Sequence, residues 1–319
     1  MTSTADSFWY RILLKLRLHE LSGEAFQDFF NQVMGYGQPG FQSITPWGNW
    51  GDGGNDGWIP SNGHYFQLYA PRPTTTLSAN DAVKKAVDDF KKIPVKWKNV
   101  RKYFFVLNDR FKGIPGPVAS ALQTLQINHS LEEARGWGCM DLEQVFMSLG
   151  DNHRMAIVGA VPSCSFSYID PTAVSGILTA LANREDEVIP LLRETAPDFD
   201  EKITFNGLTS PVSDFLRFYS RHTTIVDEFL DSRDVGLRQS VATEVRNLYQ
   251  QCKGILSVGE EDAGNTRYVW MIEHLIPEGI RMLRQAHTIK AYRAAAHILM
   301  AKYFETCDAY DHPNSSTST

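Results

Sequence analysis

Strand-like runs are confined to the first half of this 319-residue chain, and that confinement narrows the folds open to it. His64 to Ala70 (HYFQLYA) reads as a strand bounded by Asn62-Gly63 and Pro71. Arg101 to Asn108 (RKYFFVLN) is a short apolar, aromatic run that reads as a buried strand. Helical patterns surround them. After Ser22-Gly23-Glu24, the residues Phe26, Phe29, Phe30 and Val33 recur at i, i+3, i+4 and i+7, and Gly35 and Gly37 end the stripe. Residues 81–92 are helical, residues 117–149 mostly so, and 41–73 form a strand-and-turn region rich in Gly, Trp and Asn. This order predicts a small mixed sheet covered by helices.

From about residue 171 the texture changes. Residues 172–196 are amphipathic, Ser210-Pro211 opens a helix running to about Leu230, and further helical patterns cover 234–253 and 266–307. The expected class is therefore α+β, with a mixed sheet and helices over 1–160 and a mainly α-helical part over 170–312. The boundary falls near 155–170, where Pro162, Ser163, Cys164, Ser165 and Ser167 interrupt the pattern, and residues 313–319 form a low-complexity, disordered tail.

Several classes are excluded by composition. Apolar residues at 43% and charged residues at 21% give a globular balance. No apolar stretch approaches the roughly 18 residues of a membrane span, and Arg11, Lys15 and Arg17 break the early run, so neither a membrane anchor nor a secretory leader is expected. The four cysteines show no C-x-x-C spacing and no disulfide framework, which predicts reduced thiols and a cytoplasmic protein. The nine histidines form no zinc-binding spacing.

Charge is distributed unevenly. Residues 1–150 hold 15 Lys/Arg against 14 Asp/Glu, and the remainder 16 against 23. Lys84, Lys85, Lys91, Lys92, Lys96, Lys98, Arg101 and Lys102 crowd into one stretch with only Asp88 and Asp89 between them. Such a run can attract phosphates, and it can equally be a solvated helix face.

The densest chemical signal is the stretch Gly51 to Pro71, GDGGNDGWIPSNGHYFQLYAP. Asp52 and Asp56 sit in a glycine-rich turn before a short hairpin, and alternation along the returning strand points Tyr65, Gln67 and Tyr69 together. A carboxylate in a turn beside polar groups of a neighbouring strand suits Mg²⁺, which takes a few oxygen ligands and keeps several waters. Carboxylates in Gly/Asn/Asp turns also commonly do no more than bond backbone N–H groups.

These residues resemble the nuclease superfamily with a PD-(D/E)xK core, in its restriction-endonuclease-like, Mrr-type branch. A first-helix G-x-x-F-E start, a G-D-x-G-x-D turn and a Q-x-K strand have their counterparts in Glu24-Ala25-Phe26-Gln27, in Asp52 and Asp56, and in Gln67-Leu68-Tyr69. The resemblance covers about residues 20–110. It implies Asp56 as principal Mg²⁺ ligand, Asp52 as a second or supporting carboxylate, and Gln67 presenting its carbonyl, with Glu24 in support. Two departures stand out: Gln27 replaces the usual Glu, and Tyr69 occupies the place of the catalytic Lys. Lys84 or Lys85 would then supply the missing ammonium, and Lys91, Lys92, Lys96, Lys98, Arg101 and Lys102 would hold phosphates of a nucleic acid, DNA in the first instance.

A second resemblance spans nearly the whole chain. GNDGWIPSNGHYFQLYAP, IPVKWKNVRKYFFVLNDRFKG, PDFDEKITFNGLTSPV and KYFETCDAYDHP look like proteins of the ABC-three-component systems, bacterial anti-phage conflict modules. These pair an ABC-type ATPase and a small middle component with a protein that joins a variable effector domain to a helical C-terminal domain. The resemblance implies those two partners and no membrane. It leaves two functions open: a nucleic-acid-directed effector, or a catalytically inactive adaptor between the ATPase and a nucleic acid or protein.

Overall fold

A computed structural model describes residues 4–48, 51–73, 77–161, 169–184, 198–233, 235–256, 262–282, 285–306 and 308–313. The chain divides into two compact units, one of residues 13–158 and one of residues 1–12 with 159–319. No helix among the described residues is long and apolar enough to cross a membrane. Cys164, Cys307, the residues proposed to interrupt the pattern at 162–167, and all but the first residue of the polar tail lie outside the described residues.

The α+β class holds. The first unit contains one five-stranded sheet in the order β1 (Gln42–Ser43), β2 (Gly57–Ile59), β3 (His64–Tyr69), β4 (Lys102–Leu107), β5 (Glu133–Trp137). The first three strands pair antiparallel, and β3, β4 and β5 run parallel. Their helical cover includes α2 (Gly23–Gly37), α3 (Ala79–Lys96) and α4 (Gly116–Asn128), and α5 (Cys139–Ser148) and α6 (Asp151–Val158) follow the last strand. On one face, Tyr65, Tyr103, Phe105 and Leu107 form a core with Ala82, Ala86, Phe90 and Ile93 of α3 and Val118 and Leu122 of α4. On the other face, Phe66 stacks on Phe104 and meets Phe30 of α2, Phe41 and Trp137. Both faces being covered, Tyr65 through Leu68 are all buried despite their alternation.

Two elements depart from the sequence reading. Residues 133–137 lie inside a stretch expected to be mostly helical, yet they form β5. The segment EARGW has too few apolar residues to announce a buried strand, and pairing with β4 places it. The first helix is α1 (Thr4–Glu20), ahead of the first one read. Its buried residues (Trp9, Tyr10, Ile12, Leu13, Leu14, Leu16 and Leu18) crowd more than one face, so no clean stripe marks it. Residues 4–12 of this helix belong to the second unit, where Trp9 packs edge-on against Phe215 and His297.

Among the described residues the second unit is helical. Its helices are α7 (Pro171–Ala182), α8 (Phe199–Phe205), α9 (Val212–Ser220), α10 (Thr224–Asp231), α11 (Val235–Ile255), α12 (Ala263–Leu275), α13 (Glu278–Met282) and α14 (Ala286–Glu305). Helix α9 starts at Val212, one residue later than the Ser-Pro pair suggests, and the Ser210 hydroxyl donates to Asp214 instead of capping the backbone. The buried Lys202 ammonium donates to the carbonyls of Phe304 (2.6 Å) and Ala309 (2.9 Å), binding α8 to the end of α14.

Candidate functional site

The site is built where the glycine-rich turn enters β2. Gly53 and Gly54 both have positive φ, a conformation that glycine adopts without steric cost. A Cβ on Gly54 would lie 2.2 Å from the carbonyl oxygen of Asp89, so the turn presses directly onto α3. At Gly53 a Cβ would meet the Trp97 indole nitrogen at 2.7 Å and Lys96 Cδ at 2.9 Å. The Asp52 carboxylate accepts from the Gly54 N–H at 2.8 Å, as a local turn residue does.

Asp56 follows, opposite Gln67 by extension of the β2–β3 register. Its N–H donates to the Phe66 carbonyl (2.9 Å), and its Oδ2 accepts from the Leu68 N–H at 2.7 Å. The Gln27 amide of α2 donates to Oδ1 at 3.4 Å. Burial pushes the Asp56 carboxyl up to about 6. The Leu68 N–H and the Lys85 ammonium pull it back, while Asp52 and Asp89 push it further up.

Gln67 is 2% exposed. Its amide nitrogen donates to the Leu68 carbonyl at 3.4 Å, but its carbonyl oxygen Oε1 is buried and meets no donor. An acceptor in that state costs the fold its desolvation energy with no compensating bond.

The remaining candidates separate into those near this centre and those elsewhere. Lys85 lies near enough to act electrostatically on Asp56, and it pairs with Asp89 on its own helix. Lys84, by contrast, is exposed and acts on Asp88. Glu24 is exposed in the first turn of α2. Tyr69 is half-buried, stacked on Phe105 at 6.0 Å between centroids, and packs with the core.

The basic run is compensated within the protein. Lys91 pairs with Asp88 (3.0 Å), Lys92 with Asp89 (2.6 Å), Arg101 with Glu132 (2.5 Å) and Lys102 with Glu133 (2.9 Å). Two of those carboxylates, Glu132 just before β5 and Glu133 at its first position, lie about thirty residues away along the chain. Lys98 is exposed, and Lys96 is half-buried beside the turn.

Two residues were missed or misjudged by the sequence reading. Asp89 was counted only as a charge within the lysine run, yet it is a buried carboxylate at the turn. Its position on the apolar stripe of Ala82, Ala86, Phe90 and Ile93 was the available signal. Gln27, noted only as a departure, is a hydrogen-bond donor to Asp56.

The donor set fits a hard cation. The Asp56 carboxylate and the orphaned Gln67 carbonyl oxygen are of the hard oxygen type that Mg²⁺ takes while retaining water. Among the described residues no group of three or more His, Cys, Asp or Glu is arranged to hold a metal, so any cation here relies on few protein ligands.

No curated protein and no solved structure matches the chain. Residues 172–311 match the family model of C-terminal domain 10 of the ABC-three component (ABC-3C) systems, and this match supports membership of the chain in such a system.

Proposed function

We propose that the chain is the effector of an ABC-3C conflict system and that its N-terminal unit cleaves phosphodiester bonds with the help of Mg²⁺. The observation that carries this reading is the buried, unsatisfied Gln67 Oε1 on the strand that also hydrogen-bonds the Asp56 carboxylate. The element order helix, three antiparallel strands, helix and parallel strand supports the restriction-endonuclease-like resemblance. Asp56 and Gln67 would hold the cation, with Asp52 in support. A divalent cation so bound polarises a phosphoryl oxygen and lowers the pKa of bound water. Lys85 supplies the positive charge that a β3 lysine would otherwise bring to the developing phosphoryl charge, because Tyr69 has no ammonium and packs on Phe105. The C-terminal domain joins this unit to an ABC-type ATPase and a small middle component.

A second reading is an adaptor without cleavage. It is favoured by the compensation of Lys91, Lys92, Arg101 and Lys102 by neighbouring carboxylates, which leaves less net charge to hold nucleic acid. The two are separated by incubating plasmid and single-stranded DNA with the protein and Mg²⁺ or Mn²⁺, with and without its ATPase, beside Asp56→Ala. Metal-dependent cutting lost in Asp56→Ala supports the effector. Full activity in that variant removes Asp56 from the site, and binding without cutting under every condition favours the adaptor.

A further inference from the structure

Asp89 belongs to none of the motifs that mark the site, yet it meets both the lysines of α3 and the glycine turn. It lies on the stripe of α3 that faces the sheet, among Ala86, Phe90 and Ile93, and is only 4% exposed. A carboxylate there requires partners. Both its oxygens have them: Oδ2 accepts from the Lys85 ammonium and Oδ1 from Lys92 at 2.6 Å. Its main chain is engaged separately, since its carbonyl oxygen is the surface on which Gly54 rests. Gly54 stands two residues before Asp56. Helix α3 is itself pinned to the sheet by the Tyr103 hydroxyl, which donates to the Ala86 carbonyl at 3.0 Å.

A lysine side chain left alone on a helix samples many rotamers. Lys85 and Lys92 also repel one another. One buried carboxylate between them removes both difficulties, and its backbone contact with the turn ties their position to that of Asp56. We propose that Asp89 is the positioning residue of this site, holding the Lys85 ammonium where α3 meets the turn that leads to Asp56, opposite Gln67. The inference rests on the reading of those two residues as a cation site. It places the source of positive charge on α3 rather than β3, which leaves the Tyr69 position open to a packing residue.

The test uses the full-length chain and has two readouts. Lysine reactivity is measured by competitive acetylation and mass spectrometry in the wild type, Asp89→Asn and Asp89→Glu, with exposed Lys84 as the internal reference. Mn²⁺ binding and Mn²⁺-dependent cleavage are measured on the same samples. Lys85 is expected to label about fivefold more slowly than Lys84 in the wild type, as a paired ammonium should. Its rate should approach that of Lys84 in Asp89→Asn and fall again in Asp89→Glu, while Asp89→Asn keeps Mn²⁺ binding and loses cleavage about tenfold or more. Equal labelling of Lys85 and Lys84 in the wild type overturns the proposal whether or not any variant folds. Relieved labelling in Asp89→Asn with undiminished cleavage overturns the positioning role. Relieved labelling in a protein whose wild type binds no Mn²⁺ upholds the grip of Asp89 on Lys85 and removes the cation reading instead.

Discussion

Asp56 carries a tension that its neighbours cannot relieve. The chain buries the carboxyl near two further aspartates, and the Leu68 N–H, the Gln27 amide and the charge of Lys85 do not offset the lost hydration. Its folded value of about 6 stands above the ordinary 3.8, so the folded state holds the proton to higher pH than the unfolded chain does. The contribution to stability is therefore full below pH 3.8 and lost as pH rises through about 6. At neutral pH this costs on the order of 3 kcal/mol. Asp56→Asn, which keeps an acceptor for the Leu68 N–H, should raise stability at pH 7 by up to that amount and flatten the slope between pH 4 and 6. Urea unfolding at a series of pH values reads both effects. A residue that destabilises its own fold while sitting at the proposed site is the pattern of stability yielded to function. The motif GDGGND made Asp56 and Gln67 visible as candidates, because spacing along a turn and a strand is local. Burial and its consequences for the carboxyl were not visible, since they depend on α2 and α3 closing over the two faces of the sheet.

Elements show the same division. The glycines of the turn look alike in sequence but carry different loads. A Cβ at Gly51 meets nothing within 4 Å, whereas at Gly54 it would collide with the backbone of Asp89. Both have positive φ. Gly51→Ala should cost only the conformational penalty of about 1 kcal/mol, and Gly54→Ala should cost about 3 kcal/mol or more because the turn must lift from α3. Chemical denaturation of the two variants side by side checks the contrast; equal losses would mean that the turn does not rest on the helix. Helix α2 and strand β3 were legible because their periods of 3.6 and 2 are written in Phe26, Phe29, Phe30 and Val33 and in HYFQLY. Strand β5 was not, because Glu133, Arg135 and Gly136 owe their extended conformation to pairing with β4.

At the scale of the whole chain, two buried histidines of the second unit respond to acid in the sense opposite to Asp56. His297, fully buried with its Nδ1 bonded to the Tyr268 hydroxyl at 2.7 Å, is held down to about 3 by burial, with Arg293 adding to the effect. Burial likewise holds His274 down to about 4. Their folded values lie below the ordinary 6.5, so the unfolded chain takes up protons first. Their contribution is full above pH 6.5 and is lost as pH falls toward 3 to 4. His297→Phe should reduce the acid sensitivity of the C-terminal unit, measured as hydrogen exchange of α14 amides at pH 5 against pH 7. That unit also depends on a buried lysine: Lys202→Met leaves the Phe304 and Ala309 carbonyls without their ammonium donor and should cost about 2–4 kcal/mol by urea unfolding.

Local order in the chain carries the α+β class, the helical C-terminal half, the turn that holds Asp52 and Asp56, and the strand that holds Gln67. Each of these is encoded by neighbours within a few residues, where periodicity and turn chemistry act. Long-range closure settled the rest. It placed Glu132 and Glu133 against Arg101 and Lys102 and so neutralised much of a run that reads as basic. It paired Lys85 with the buried carboxylate of Asp89 and left Lys84 in solvent, a choice that adjacent lysines on one helix cannot reveal. It also put Trp9 into the core of a unit built mostly of residues from Gly159 onward. Charge compensation and burial depend on which surfaces meet, and residues far apart in sequence meet only when the sheet and helices pack.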